Sequence, residues 1–196
     1  LTKPSESASM SVHRSLQARL PQPLTLLILG GLSLLLSACG SSLPPAFKGS
    51  GVPLVLEDYF VGKTRADGVF IDFFGNVGDS FVVDIDGTWD GSILTLDEDF
   101  TYADGRKQRR VWRITKVGPD RYVGRAADVI GEARGEVRGS TLTWTYDVDL
   151  DLGNRTQRVT FDDVLFLRDE KTLLNQADIR VGPLVIGVVT INFRKL

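Results

Sequence analysis

From about Lys63 to the end of the chain, apolar and polar residues alternate with a period of two, in short runs broken by turn residues. Successive side chains of a strand point to opposite faces, so this pattern reads as half-buried β-strand. It predicts strands at 64–74, 79–89, 92–102, 107–117, 121–129, 132–138, 141–150, 156–168, 173–181 and 187–195. Gly75-Asn76-Val77-Gly78, Asp90-Gly91, Ala103-Asp104-Gly105, Gly118-Pro119-Asp120, Gly139-Ser140, Leu152-Gly153-Asn154 and Gly182-Pro183 mark the turns. Such spacing leaves no room for crossover helices, so consecutive strands are antiparallel neighbours. Only Leu56 to Phe60 and Glu170 to Asn175 look able to form a helical turn. A meander of about 130 residues must dispose of its edges, and closing into a barrel removes them. An up-and-down barrel of about 8–10 strands has room inside for side chains or one small ligand. A two-sheet sandwich is the alternative.

Hairpin register tests which face is inside. A two-residue type I′ turn at Asp90-Gly91 pairs Trp89 with Ser92, Gly87 with Leu94, Ile85 with Leu96, Val83 with Glu98 and Phe81 with Phe100. One face then collects Phe81, Val83, Ile85, Trp89, Leu94, Leu96 and Phe100, and the other Asp84, Asp86, Thr88, Thr95, Asp97 and Asp99. The first face is the interior. A three-residue loop at Ala103-Asp104-Gly105, with Gly105 left-handed, pairs Leu96 with Trp112, Leu94 with Ile114, Glu98 with Arg110 and Asp99 with Arg109. It keeps Trp112 and Ile114 inside.

Glu98 is then an acid on the apolar face with Arg110 opposite. Desolvating a lone carboxylate costs several kcal/mol, so it needs such a partner. Three readings follow, in this order: an ion pair that fixes register, a polar contact in a ligand cavity, and a catalytic acid or base. Asp163 alternates with Val159, Phe161, Leu165 and Leu167 and is a second acid of this kind, read first as a strand-edge group bonded to backbone. Trp144 and Tyr146 alternate with Leu142, Val148 and Leu150 and fill the core, or line its wall if the barrel is open inside. The candidate ligand-binding residues are therefore Glu98, Arg110, Trp112, Trp144, Tyr146 and Asp163. Between Tyr122 and Gly139 the strands are rich in Gly and Ala, and Asp128 points inward where small neighbours leave space.

The N-terminal segment has a different character. Arg14 and Arg19 precede a 13-residue apolar stretch, Leu24 to Leu36, shorter than the ~20 residues a membrane span needs. A basic start, a short apolar core and small residues after it make a secretory signal, with Met10 read as its initiator. Leu36-Ser37-Ala38-Cys39 resembles a bacterial lipobox. That resemblance implies cleavage before Cys39, lipidation of its thiol and acylation of the new amine. Several acyl chains give stable anchoring. Gly40 after the cysteine, with no Asp in that place, favours the outer membrane. Gly40 to Val55 is rich in Gly, Ser and Pro, a tether reaching roughly 20–25 Å as a flexible coil. The organisation expected is signal peptide over 1–38, acylated cysteine and tether over 39–55, and β-barrel over 56–196.

Composition narrows the chemistry. The chain holds 23 basic and 25 acidic residues without a long like-charge block, so no nucleic-acid partner is expected. From Cys39 onward the balance is 20 basic against 24 acidic residues, which argues against electrostatic docking on anionic lipid. His13 is the only histidine and lies in the signal segment, and Cys39 is the only cysteine. The mature chain therefore has no Cys/His metal cluster, disulfide or Ser-His-Asp triad. No phosphate loop or dinucleotide fingerprint is present, and no cofactor is expected.

Several stretches together resemble a known family. They are Leu56-Glu57-Asp58-Tyr59-Phe60-Val61-Gly62, Gly87-Thr88-Trp89-Asp90-Gly91, Leu96-Asp97-Glu98-Asp99-Phe100, Arg110-Val111-Trp112, Tyr122-Val123-Gly124, Ala127-Asp128-Val129-Ile130-Gly131, Phe161-Asp162-Asp163 and Asn175. The chain resembles an uncharacterised bacterial lipoprotein family, domain of unknown function 3833, with Val164 standing where the pattern has Trp. The resemblance implies a lipocalin-like (calycin-type) barrel and, through neighbouring fatty-acid-modifying enzymes, tilts the ligand toward lipids. The function expected is a membrane-tethered envelope protein that binds a fatty acid or other apolar ligand. A structural or assembly protein with a filled barrel is the alternative. A lipid-modifying enzyme using Glu98 or Asp163 comes third.

Overall fold

The computed structural model describes residues 52–151 and 155–196. Cys39, the apolar stretch before it and the tether as far as residue 51 lie outside the described residues. A five-residue helix α1 (Leu56–Phe60) precedes ten strands: β1 (Gly62–Asp72), β2 (Val77–Trp89), β3 (Ile93–Tyr102), β4 (Lys107–Lys116), β5 (Arg121–Arg125), β6 (Val129–Arg138), β7 (Thr141–Asp151), β8 (Thr156–Asp169), β9 (Thr172–Val181) and β10 (Leu184–Lys195). Each strand pairs antiparallel with its neighbours in sequence, and β10 pairs with β1, so the sheet closes into a barrel. The expected up-and-down meander is what forms, and the sandwich is not.

The first hairpin has a different turn from the one expected. Asp90 Oδ1 accepts hydrogen bonds from the backbone N–H of Ser92 (2.9 Å) and Ile93 (2.7 Å), and Gly91 is left-handed at φ +96°. This Asx-type turn lengthens the loop, so Trp89 pairs with Leu94, Gly87 with Leu96, Ile85 with Glu98, Val83 with Phe100 and Phe81 with Tyr102. The register is displaced by two residues from the type I′ reading. A slip of two returns every side chain to the same face, so the interior set is unchanged.

The second hairpin is as expected. Gly105 has φ +85°, and Leu96 faces Trp112, Leu94 faces Ile114, Glu98 faces Arg110 and Asp99 faces Arg109. Two other segments depart from expectation. The strand predicted over 121–129 ends at Arg125, and Val129 N–H bonds the carbonyl of Ala126 across a short turn. Glu170 to Asn175 is not helical: Asp169 Oδ1 accepts from the N–H groups of Lys171 and Thr172, and β9 begins at Thr172.

The two barrel ends differ. At one end Leu56, Tyr59 and Phe60 of α1 are buried in the mouth. A helix this short does not persist alone, so packing holds it. Lys116 Nζ lies 2.6 Å from Glu57 Oε1, and the Tyr122 hydroxyl donates to Glu57 Oε2 at 2.9 Å. The Tyr59 hydroxyl lies 3.1 Å from the Lys171 carbonyl and 3.2 Å from that of Phe193. The Leu54 N–H bonds the Gly139 carbonyl at 2.8 Å, so the chain enters at this closed end. The β1–β2, β3–β4, β5–β6 and β9–β10 turns gather at the opposite end, open in the sense that no helix covers it among the described residues; the side chains of Phe70, Val159 and Ile179 pack inside it.

Gly87 makes the plug possible. A Cβ there would lie 1.8 Å from the Phe60 carbonyl oxygen, a backbone atom that cannot swing aside. Gly87→Ala is expected to destabilise the barrel by about 1–3 kcal/mol, the usual cost of overpacking, measured by denaturant unfolding. An unchanged midpoint would show that α1 does not need this approach.

Candidate functional site

The alternating strands bring the predicted interior residues to one place. Glu98 comes from β3, Arg110 and Trp112 from β4, Trp144 and Tyr146 from β7, and Asp163 from β8. All six line a single cavity of ≈ 270 Å³ inside the barrel. Asn175 of β9, not among the predicted site residues, lines it too. Its signal was present: Asn175 lies in the predicted strand 173–181 and alternates with Leu173, Ala177 and Ile179, as Glu98 does with its neighbours.

The aromatic wall is held by edge contacts. Trp112 meets Trp144 at 5.8 Å and Tyr146 at 5.3 Å between ring centroids, both T-shaped, and Tyr146 stacks on Phe161 at 5.1 Å. Trp144 lies in a slot that glycine leaves free. A Cβ at Gly124 or Gly135 would come within 2.5 or 2.3 Å of its ring.

The polar residues are arranged otherwise than as a simple ion pair. Glu98 and Arg110 are direct cross-strand neighbours, and Glu98 is 9% exposed. The guanidinium, however, makes its ion pair with Asp128, Nε to Oδ1 at 3.1 Å. It packs over Trp112 at 4.4 Å and Tyr146 at 5.4 Å from the ring centres. The cause is the early end of β5. β4 pairs with β5 only over Arg113–Lys116, and the turn after Arg125 brings Asp128 to the other half of β4. Among the described residues Glu98 has no ion pair of its own. Asp163 also differs from its expected edge role, because it faces inward and accepts a 2.6 Å hydrogen bond from Asn175 Nδ2.

Burial sets the protonation of these groups. Burial raises Glu98 to about 7; Arg110 opposes the shift, and Asp128 and Asp97 add to it. Burial likewise raises Asp163 to about 7 against the Asn175 hydrogen bond and Arg110, with Asp162 adding to the rise. Tyr146 is pushed well above the ordinary phenol value by burial and then by Asp163. Burial works against charge on Arg110, yet Tyr146, Asp128 and Glu98 together hold it above its ordinary value. The interior thus holds one firm cation and two acids poised near neutral pH.

Several of these polar atoms have nothing to bond. Arg110 Nη2, Asp163 Oδ2 and Asn175 Oδ1 are buried without a hydrogen-bond partner, and Arg110 Nε has only the ion-pair contact. Each such group costs about 1–3 kcal/mol. Among the described residues no group of three or more His, Cys, Asp or Glu is placed to hold a metal ion. The arrangement suits recognition of a small polar group at the end of an apolar body.

Comparison with known proteins places the chain in a family. The sequence pattern of the family described as "Protein of unknown function (DUF3833)" matches residues 33–195, and the chain belongs to that family. No match is found among curated proteins. Two solved structures share the lipocalin-like barrel fold. An S-type phycobiliprotein lyase from Guillardia theta superposes with a TM-score of 0.52 at 10% identity, covering 71% of this chain and 90% of that one. A protein of unknown function from the DUF3598 family of Nostoc punctiforme gives 0.51 at 10% identity, covering 74% of this chain. This chain spans only 50% of that protein's length. At such identity the likeness is one of fold alone.

The two raised acids make stability depend on pH in a definite direction. Between pH ~4 and ~7 the unfolded chain has released protons that the folded barrel retains, so stability falls as pH rises through that window and then levels. Glu98→Gln or Asp163→Asn removes one acid's share. Each variant should match the parent near pH 4 and exceed it at pH 8, by roughly 3 kcal/mol for Glu98→Gln and roughly 4 kcal/mol for Asp163→Asn. Unfolding curves at several pH values that run parallel for parent and variants would contradict the assignment.

Proposed function

We propose that the barrel is the binding module of a cell-envelope lipoprotein and holds one amphipathic, lipid-like molecule with an acidic head, of the fatty-acid type. The observation that carries this is the lining of one cavity of ≈ 270 Å³, where Glu98, Arg110, Asp163 and Asn175 stand together in an otherwise largely apolar wall. Ligand sites have this character: mostly apolar walls and a few placed polar groups. A carboxylate head would accept from Arg110, and Glu98 and Asp163, which keep their protons up to about pH 7, would donate to it below that pH. The chain beyond the head would lie against Trp112, Trp144 and Tyr146. An open cavity favours binding over a barrel filled purely for structure.

The lipobox resemblance at Leu36 to Cys39 supports an anchor through Cys39, and Gly40 favours the periplasmic face of the outer membrane. Stable anchoring by several acyl chains would keep such a module close to its lipid supply.

Two experiments test the proposal. Acids, alcohols and methyl esters of matched chain length are compared by thermal shift, and the acids should raise the melting temperature most. Arg110→Met, which keeps length and loses the charge, should weaken acid binding about 10- to 100-fold while leaving the alcohols nearly unaffected. No shift with any chain length, or equal loss for acids and alcohols, would contradict the head-group assignment. Intact-mass analysis of the protein from its native host should show Cys39 as the N-terminal residue carrying acyl chains. A Cys39 without acyl mass would overturn the anchor.

A further inference from the structure

Two hairpin tips at the open end carry an apolar surface that the cavity does not explain. Phe73 and Phe74, on the β1–β2 turn, are 71% and 85% exposed. Val77 beside them is 69% exposed, and Leu184 on the β9–β10 hairpin is 68% exposed. Because β1 pairs with β10, the two tips are adjacent, and the Phe73 N–H bonds the Ile186 carbonyl at 3.0 Å.

The tips are built rather than loose. Asp72 Oδ1 accepts from the N–H groups of Phe74 and Asn76, each at 2.9 Å, and Asp72 Oδ2 accepts from Asn76 Nδ2 at 2.9 Å. Gly75, at φ +85°, closes the turn. The two rings meet edge to face at 5.6 Å. On the neighbouring tip, Arg180 donates to the Pro183 carbonyl at 3.1 Å. One anion and one cation are thus tied into the two hairpins, and what projects beyond them is apolar. Interior residues continue from these tips: Val189 of β10 lines the cavity and stands opposite Phe70 of β1.

We propose that these adjacent tips insert into the surface of a lipid bilayer, setting this end of the barrel against the membrane. Protruding rings on a rigid turn need a deformable partner, and the lipid interface supplies one without a matching receptor groove. The near-neutral charge of the tips suits a zwitterionic surface rather than an anionic one. The tether allows the approach. The chain enters at the closed end, and the twelve residues 40–51 span at most about 40 Å. A 13-residue strand such as β2, tilted as barrel strands are, rises only about 33 Å. A barrel held at Cys39 therefore has enough chain to bring its open end down to the same bilayer. The docking does not depend on which ligand the cavity takes.

The test uses the chain from residue 39 onward with Cys39→Ser, so that no acyl group contributes, and phosphatidylcholine vesicles as the probe. Co-flotation of this protein is compared with that of a Phe73→Ser/Phe74→Ser variant. Both rings are exposed, so the variant should keep the parent's melting temperature and affinity for cavity ligands, while its partition into vesicles falls roughly tenfold or more. In a second measurement, a Trp placed by Phe74→Trp should shift its emission to the blue on adding vesicles. Equal partition of the two proteins would overturn the proposal. So would binding that requires anionic lipid and disappears in high salt. A dimer abolished by the double variant, without vesicle binding, would overturn it in favour of a contact between two copies of the chain. Loss of vesicle binding with ligand affinity intact separates this surface from the cavity.

Discussion

Ten strands closed into one barrel enclose more volume than their inward side chains fill, and the remaining features of this protein follow from how that interior is finished. Eight strands leave an interior that side chains can fill or that holds one small ligand; two more widen it. Here one end is stoppered by α1, whose Phe60 reaches in over Gly87. The middle keeps a cavity of ≈ 270 Å³. Filling it with Leu and Phe would be the route to a more stable barrel. The chain instead places Arg110, Glu98, Asp163 and Asn175 on that wall and leaves some of their polar atoms unbonded.

That choice is costly in a low-dielectric interior, and the surrounding contacts limit the cost. Arg110 keeps its charge by lying over Trp112 and Tyr146 and reaching Asp128. Glu98 and Asp163 answer burial by retaining their protons to about pH 7. Neutral acids can donate hydrogen bonds, which charged ones cannot. A cation flanked by two such donors complements an incoming carboxylate. The outer wall shows the opposite economy: its charges pair in water, as Arg109 Nε does with Asp97 at 2.7 Å, and such exposed pairs contribute little.

How far these features could be read from the sequence depended on whether they were local. The strands were legible because a period of two survives errors of detail. The β2–β3 register was displaced by two residues at the Asp90 turn, yet Ile85, Leu94 and Leu96 stayed inside, since only an odd slip inverts the faces. Glu98 and Asp163 were visible because each interrupts an apolar row. Trp112, Trp144 and Tyr146 were visible because they continue one. What escaped was set by chain breaks. The ion pair of Arg110 depends on β5 stopping at Arg125, a turn made of Ala126, Ala127 and Asp128 with no glycine or proline to announce it. Asn175 lies in the predicted strand 173–181, so its inward place was legible; its bond to Asp163 was not, because that contact depends on the β8–β9 register set by the turn at Asp169. Which end of the barrel α1 would close is a tertiary matter, decided by contacts to β4, β5, β9 and β10 that no local pattern encodes.

The central claim is that the polar cluster around Arg110 exists to meet a ligand rather than to hold the barrel together. Native mass spectrometry of the gently purified barrel, compared with its Arg110→Met variant, addresses this most directly. The account predicts a discrete small amphipathic adduct on the parent chain, identified as a lipid-like acid and lost from the variant, with both barrels folded. Parent protein that flies only at its bare mass under conditions that preserve non-covalent lipid complexes, together with a variant that unfolds, would contradict it and return Arg110 to a purely structural role.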